Sequence, residues 1–296
     1  MNTILRDKKA VCFFVLPALL IYLVILVYPM ITSVVYTFFE GTPNVNMKFV
    51  GLTNYKKLFS DREFISSIVI TGKYFLVTAA GWVILGLATA LMLAYGIRSK
   101  RGVDIARTVI YVPVILPGVA VAIMWRKILE ITPNYGLLNS LLKMIGMEEH
   151  VQAWVGQSST AIWFVALAAL WAGYGYYTIL FYAGWLNVPK ELEEAALIDG
   201  CNTLQSIRYV ALPIMKPVTV MCIVLSVMYS LRVYDLPAVM TNGGPGRSTQ
   251  VLSFYMYKVA FENWKYGYGS TLAVVILLLS MICTQTLSLL DRDNRV

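Results

Sequence analysis

PKELEEAALIDGCNTLQSIRYVALPIMKP, residues 189–217, decides how this chain is read. The thirty-nine residues 151–189 contain no Lys, Arg, Asp or Glu, and another apolar segment follows the quoted stretch. Pro189 suits the first position of a helix, where a missing N–H costs nothing. Glu191, Glu193 and Glu194 sit near that helix start, where the dipole favours negative charge. Gly200 is placed to end it, because a left-handed terminal residue is cheap only without a Cβ. On helical spacing Leu192, Ala195, Ala196 and Asp199 share one side. The stretch predicts a short acidic helix with small residues on one flank, held between two membrane segments. A helical connecting loop without further purpose is the plainer reading of the same residues.

Composition frames that choice. The 296 residues are 58% hydrophobic and 14% charged, with a mean hydropathy of +0.68; soluble domains run at about 25% charged. The expected class is an all-α polytopic membrane protein. Its formal charge of +8 reads as a membrane-surface and orientation signal. No basic cluster is interleaved with aromatics in a soluble module, so nucleic acid is not an expected partner. Cys12, Cys201, Cys222 and Cys283 show no CxxC spacing and read as free thiols packed in apolar surroundings. A basic lead (Arg6, Lys8, Lys9) opens onto thirty uncharged residues, 10–39. A secretory signal core is only about 7–15 residues long, so this run reads as a retained first span.

A span needs about 20 apolar residues. Six are expected, over about 11–38, 66–96, 105–128, 158–186, 210–236 and 268–290, in one transmembrane domain covering 1–296. Pro17 and Pro29 bend the first. Pro113 and Pro117 lie inside the third. The fifth is weakened by Pro213, Lys216, Pro217, Arg232 and Asp235. Lys and Arg concentrate in cytoplasmic loops. The N-terminal lead and the cluster Arg98, Lys100, Arg101, Arg107 point to both termini and the loops after spans two and four lying inside, including a loop over about 187–209. About half of the 24 basic residues fall on each side, and the orientation rests also on the family resemblance given below. Lys48, Lys56, Lys57 and Arg62 in the first external segment run against that rule. The external segments are 40–65, about 129–157 and about 241–267. The last holds TNGGPGRST, dense in turn residues; it is either punctuation or a binding surface.

Several chemistries are missing. No GxxxxGK[ST] occurs, and Thr71-Gly72-Lys73 lacks both the loop and the hydroxyl of a P-loop, so the chain is not expected to bind ATP that way. His150 is the single histidine and reads as a surface residue, since no metal-ligating partner accompanies it. Nothing resembles a nucleophile with its base. No metal, cofactor or catalytic residue is expected in the chain.

Charges near the spans default to functional hypotheses. Arg232 and Asp235, three apart on one helical face, read either as a structural ion pair or as the lining of a polar path. Trp163, Trp171, Tyr174, Tyr176, Tyr177, Tyr182, Trp185, Tyr229 and Tyr234 crowd spans four and five. An interfacial belt accounts for some. Ring platforms with hydroxyls also suit a sugar, and Tyr176, Tyr177, Tyr229, Tyr234 and Asp235 are the candidates for a substrate path.

From Glu194-Ala195-Ala196 through Gly200 to Leu212-Pro213 the pattern is E-A-A-x3-G-x9-V-x-L-P. It resembles the EAA signature of permease subunits of ABC importers, with Val210 where the family has isoleucine. Tyr176-Tyr177-Thr178, Leu186-Asn187-Val188-Pro189-x-Glu191 and Ile198-Asp199-Gly200 look like the carbohydrate-import branch, of the maltose and glycerol-phosphate permease type. So do FVGLTNY (49–55), Arg107 with Tyr111-Val112-Pro113 and Leu116-Pro117, Tyr234-Asp235, and TNGGP (241–245) with Ser248-Thr249. The resemblance covers nearly the whole chain.

It implies an ABC importer type I permease fold and a heterodimer with a second, similar permease. It also implies two ATPase subunits that bind ATP and Mg on the cytoplasmic side, and an extracytoplasmic sugar-binding protein. The 187–209 loop is then a coupling helix, with Glu194, Ala195, Ala196, Asp199 and Gly200 contacting the ATPase, in a multi-pass protein of the bacterial or archaeal plasma membrane. Two readings compete. A self-contained carrier or channel for a small polar solute predicts ion-coupled transport and tolerance at Ala195 and Ala196. A membrane enzyme lacks any convincing acid, base or nucleophile.

Overall fold

Prolines decide which apolar runs stay straight and which break. The computed structural model describes residues 8–97 and 99–292. Arg6 and Arg98, two of the residues behind the expected orientation, lie outside the described residues, as do the chain ends and the side chain of Cys12. The described residues are helical apart from turns and one two-stranded hairpin.

Among the described residues, four stretches are long and apolar enough to cross a bilayer alone: Phe13–Tyr36, Arg62–Gly96, Ala161–Trp185 and Tyr266–Leu287. Two helix pairs reach that length only together, bent by 96° and 72° at their breaks. Counted as one span each, they bring the total to the expected six.

The helices are α1 (Lys8–Tyr22), α2 (Tyr28–Tyr36), α3 (Thr53–Leu58), α4 (Arg62–Leu91), α5 (Lys100–Ile115), α6 (Gly118–Ile128), α7 (Leu137–Met144) and α8 (Ala161–Trp185). They continue with α9 (Lys190–Ile198), α10 (Thr203–Ser206), α11 (Leu212–Ile214), α12 (Lys216–Leu231), α13 (Asp235–Thr241), α14 (Leu252–Tyr257) and α15 (Tyr266–Arg292). Five-residue π-turns at Leu23–Val27 and Ile207–Ala211 each end two residues before a proline, Pro29 and Pro213. In both, the next N–H reaches back five residues, from Tyr28 to Leu23 and from Leu212 to Ile207. A proline supplies no N–H of its own, and the wider turn is a local answer.

Residues 105–128 are not the single helix expected. α5 ends at Ile115, α6 starts at Gly118, and the 96° bend lies between them. Pro117 lacks the N–H that would bond to the Pro113 carbonyl; Leu116 takes that carbonyl instead, at 3.3 Å. The residue before a proline is driven out of the helical region, and Leu116 is extended at φ −70°, ψ 133°.

The fifth expected span, 210–236, is corrected twice. Its helical start moves back to α10, where Asn202 and Gln205 form a reciprocal capping box. Its end moves back to Leu231. Proline fits without strain in a helix's first turn and disrupts one further in, and Pro237 stands in the first turn of a new helix that begins at Asp235. The Val233 carbonyl left at the junction accepts the Ser253 hydroxyl. Arg232 and Asp235 therefore sit on either side of a break, not on one helical face. The segment 241–267 is not only loop: turns with left-handed Asn242, Gly243, Gly246 and Arg247 give way to α14 and a π-turn at Lys258–Glu262. The Leu252 N–H at the α14 start is accepted by Thr71 Oγ1 at 2.8 Å.

The chain divides into two units. One comprises the residues up to Ile65 with Met256–Leu277. In it Phe39 pairs with Phe49 and Glu40 with Lys48, antiparallel. Asn54 Nδ2 donates to the Thr37 and Phe39 carbonyls at 2.9 and 2.8 Å, and Tyr268 Oη donates to Asp61 at 2.5 Å. The other unit comprises Ser66–Tyr255 and the chain from Leu278 onward. Its core is centred on α8, where Val165, Ala166, Ala168 and Phe181 are wholly buried. Without a hydrophobic drive between helices in lipid, small residues permit the close approach that dispersion requires. Gly86 lets α4 lie against the Tyr177 backbone, and Gly175 lets α8 lie against the Ile110 carbonyl.

Candidate functional site

Two features of the second unit gather chemistry. The first is a cavity of about 500 Å³ between α4, the α5–α6 break, α8 and the α12–α13 junction. Tyr176, Tyr177, Tyr229, Tyr234 and Asp235 all line it, together with Arg232. Tyr74, Trp82 and Gly118 are among its other walls and do not stand out in the sequence. Trp82 stacks on Tyr177, with centroids 5.5 Å apart and planes 13° off parallel. Its Nε1 donates to the Ala169 carbonyl at 3.1 Å, which fixes the indole. Among the described residues the Tyr177 hydroxyl, which is buried, has no hydrogen-bond partner. Among the described residues no ion pair within 4 Å joins Arg232 to Asp235; both are exposed at the cavity wall. The broken helices serve this cavity, because Leu116 and Gly118 reach it from one break and Arg232 to Leu236 from the other.

The second feature is α9. Pro189 is its N-cap and Lys190 its first residue, one position later than expected. Gly200, at φ +87°, ends it. The Gly200 N–H bonds to Leu197 O at 3.1 Å and the Cys201 N–H to Ala196 O at 2.9 Å, a Schellman closure that needs the left-handed residue. The two alanines part company: Ala196 is buried in the chain's own interior and Ala195 is exposed. Glu194, Asp199 and Gly200 are exposed as well. The outward surface also carries Leu192, Leu197 and Ile198, the last 86% exposed.

Glu193, counted at the sequence level only as one of three acids, turns inward. Its Oε1 accepts a hydrogen bond from the Tyr95 hydroxyl, and Trp185 Nε1 donates to Tyr95 Oη at 3.0 Å. Tyr95 and Trp185 end uncharged runs, so each reads alone as an interfacial aromatic. Their meeting with Glu193 depends on how the spans pair, which periodicity does not encode.

Residues 83–296 match the family described as binding-protein-dependent transport system inner membrane component. The chain belongs to that family. A probable ABC transporter permease protein of Pyrococcus horikoshii is 30% identical over 288 residues, covering 94% of this chain and 97% of that one. The trehalose/maltose transport system permease protein MalF of Thermococcus litoralis is 30% identical over 280 residues, covering 94% and 92%. A bacterial ABC transporter involved in the import of the acidic polysaccharide alginate superposes with a TM-score of 0.85 at 20% identity, covering 99% of each chain. That last likeness concerns the fold.

As an inner membrane component, the chain is membrane-embedded and is a permease subunit. Its long exposed apolar helices fit that setting: the apolar stretch within Phe13–Tyr36 buries nothing within the chain. A component of a binding-protein-dependent system is not a self-contained carrier, and that reading is set aside.

Proposed function

We propose that this chain is the membrane-spanning subunit of an ATP-driven importer that moves a sugar or oligosaccharide delivered by an extracytoplasmic binding protein. A second, similar permease completes the pathway. Two ATPase subunits bind ATP and Mg and dock on the cytoplasmic side, where α9 and both chain termini lie. Glu194, Ala195, Asp199 and Gly200 meet the ATPase, with Leu192, Leu197 and Ile198 adding apolar contact. Ala196 supports the helix from behind.

The observation that carries this reading is the outward face of α9. A short helix with an acidic start exposes three large apolar side chains away from its own chain. Closure of the docked ATPases then shifts the spans between two access states, each favoured by different contacts. The cavity supports the substrate class. Its tyrosine and tryptophan rings offer apolar faces and its hydroxyls offer hydrogen bonds, in a volume within the usual range of about 300–1,000 Å³ for small-ligand sites. MalF of Thermococcus litoralis, a relative of comparable length, is named for trehalose and maltose transport.

The test is reconstitution of this chain with its permease partner, ATPases and binding protein in liposomes, assayed with a panel of mono- and oligosaccharides. ATP-dependent uptake of at least one sugar is expected. Uptake that persists without ATP, or that follows an ion gradient, refutes the proposal.

A further inference from the structure

The Glu193 cluster joins three elements that are far apart in sequence. Glu193 lies on α9, Tyr95 on the π-turn Met92–Gly96 that continues α4, and Trp185 is the last residue of α8. The Tyr95 hydroxyl donates to the carboxylate. The indole N–H donates to Tyr95 Oη at 3.0 Å and lies 3.4 Å from Glu193 Oε1. The Tyr95 and Trp185 rings meet edge-on, with centroids 5.6 Å apart. One helical turn earlier, Tyr182 packs on Trp185 with centroids 5.6 Å apart, and the Arg107 guanidinium lies 5.0 Å from the Tyr182 ring centre. Arg107 is on α5, whose far end is the Leu116 break at the cavity. Hydrogen bonds to an ionised carboxylate are about twice as strong as neutral ones and fix direction. The other two acids of the first turns, Glu191 and Glu194, are exposed.

We propose that Glu193, Tyr95 and Trp185 form the joint through which α9 moves the ends of α4 and α8, with Glu193 as the positioning residue. The proposal rests on the transport reading above. A contiguous chain of side chains is only a route until coupling along it is measured. Movement of α9 reaches the cavity through this joint and then through Tyr182 and Arg107 to α5. Docking belongs to the outward face of α9, and transmission to its inward carboxylate.

The test uses the full complex in nanodiscs, with the native cysteines replaced by alanine and one reporter, Leu116→Cys, at the α5–α6 break. Its alkylation rate is measured without nucleotide and after trapping with Mg-ADP-vanadate. In the otherwise unaltered chain trapping changes that rate. Glu193→Ala and Tyr95→Phe shrink the change roughly fivefold or more, the lower end of usual coupling strengths, while the ATPases still copurify and still hydrolyse ATP. Tyr95→Phe keeps the ring against Trp185 and removes only the hydroxyl. Glu193→Gln keeps an oxygen to accept from Tyr95 and restores most of the change, a rescue that loss of folding does not show. An undiminished trapping response in both Glu193→Ala and Tyr95→Phe overturns the joint. Absence of any response with Glu193 and Tyr95 intact overturns the transport reading, and the joint with it.

Discussion

Trp82 and Tyr177 lie nearly parallel, their planes 13° apart, while the Tyr177 hydroxyl is buried without a hydrogen-bond partner among the described residues. A buried hydroxyl left unpaired costs free energy, and deleting it removes that cost without breaking a hydrogen bond. Tyr177→Phe is therefore expected to leave thermal stability unchanged or slightly raised. If the hydroxyl meets the passing solute, the same substitution weakens transport by about 1 kcal/mol, roughly fivefold in apparent affinity. Melting temperature and the concentration dependence of uptake, measured on one preparation, separate the two effects. A lower melting temperature with unaltered uptake contradicts this assignment.

The stack exists because α4 and α8 approach closely. A Cβ at Gly86 meets the Tyr177 Cβ at 2.6 Å and its carbonyl carbon at 3.0 Å, and backbone does not swing aside as a side chain does. Gly86→Val is expected to cost about 1–3 kcal/mol through overpacking. The yield of folded chain in detergent and its melting temperature both fall. Gly72 on the same helix has open space around it, so Gly72→Ala serves as the control and leaves both nearly unaltered.

Much of this was legible in residue types. The 39 uncharged residues at 151–189 contain α8, and the acidic start and Gly200 mark α9 to within one residue. Tyr176, Tyr177, Tyr229 and Tyr234 stand out by ring and hydroxyl chemistry and Asp235 as a charge near a span, and all five line one cavity. Less legible were helix breaks that apolar composition does not mark, and the consequences of long-range pairing. Hydropathy saw 105–128 as one run because Leu116-Pro117 interrupts the backbone without interrupting the apolar composition. Arg232 and Asp235 kept helical spacing on paper across a break that Pro237 imposes and Ser253 satisfies. Glu193 and Glu194 are neighbours of identical type, and only the position of Tyr95 tells which one faces inward.

Gly200 permits a further test, because nothing lies within 4 Å of a Cβ built there while φ is +87°. Within the chain, any cost of substitution is conformational, not steric. A left-handed β-branched residue is disfavoured by about 1–2 kcal/mol, and Asn by less. Gly200→Val is expected to loosen the Schellman closure and speed amide hydrogen exchange at Gly200 and Cys201, with ATP-driven uptake falling in step. Gly200→Asn holds exchange and uptake near their starting values. Equal effects of Val and Asn count against a conformational role.

Ile198 is 86% exposed on α9 and Phe59 is 87% exposed just after α3. The two side chains are equally free of their own chain, so a charge at either costs folding little; surface changes usually stay within about 0.5 kcal/mol. They differ in what is proposed to cover them. A docked ATPase desolvates Ile198, and an unpaired carboxylate buried there opposes binding by about 2 kcal/mol or more, the scale of an interface hot spot. Ile198→Asp is thus expected to lower copurified ATPase roughly thirtyfold and to abolish ATP-driven uptake, with the permease pair still inserted in the membrane. On the proposed external placement of residues 40–65, Phe59→Asp leaves ATPase recovery as it was. Loss of the ATPase from both variants points to general damage, and retention in both removes the outward face of α9 from the docking surface.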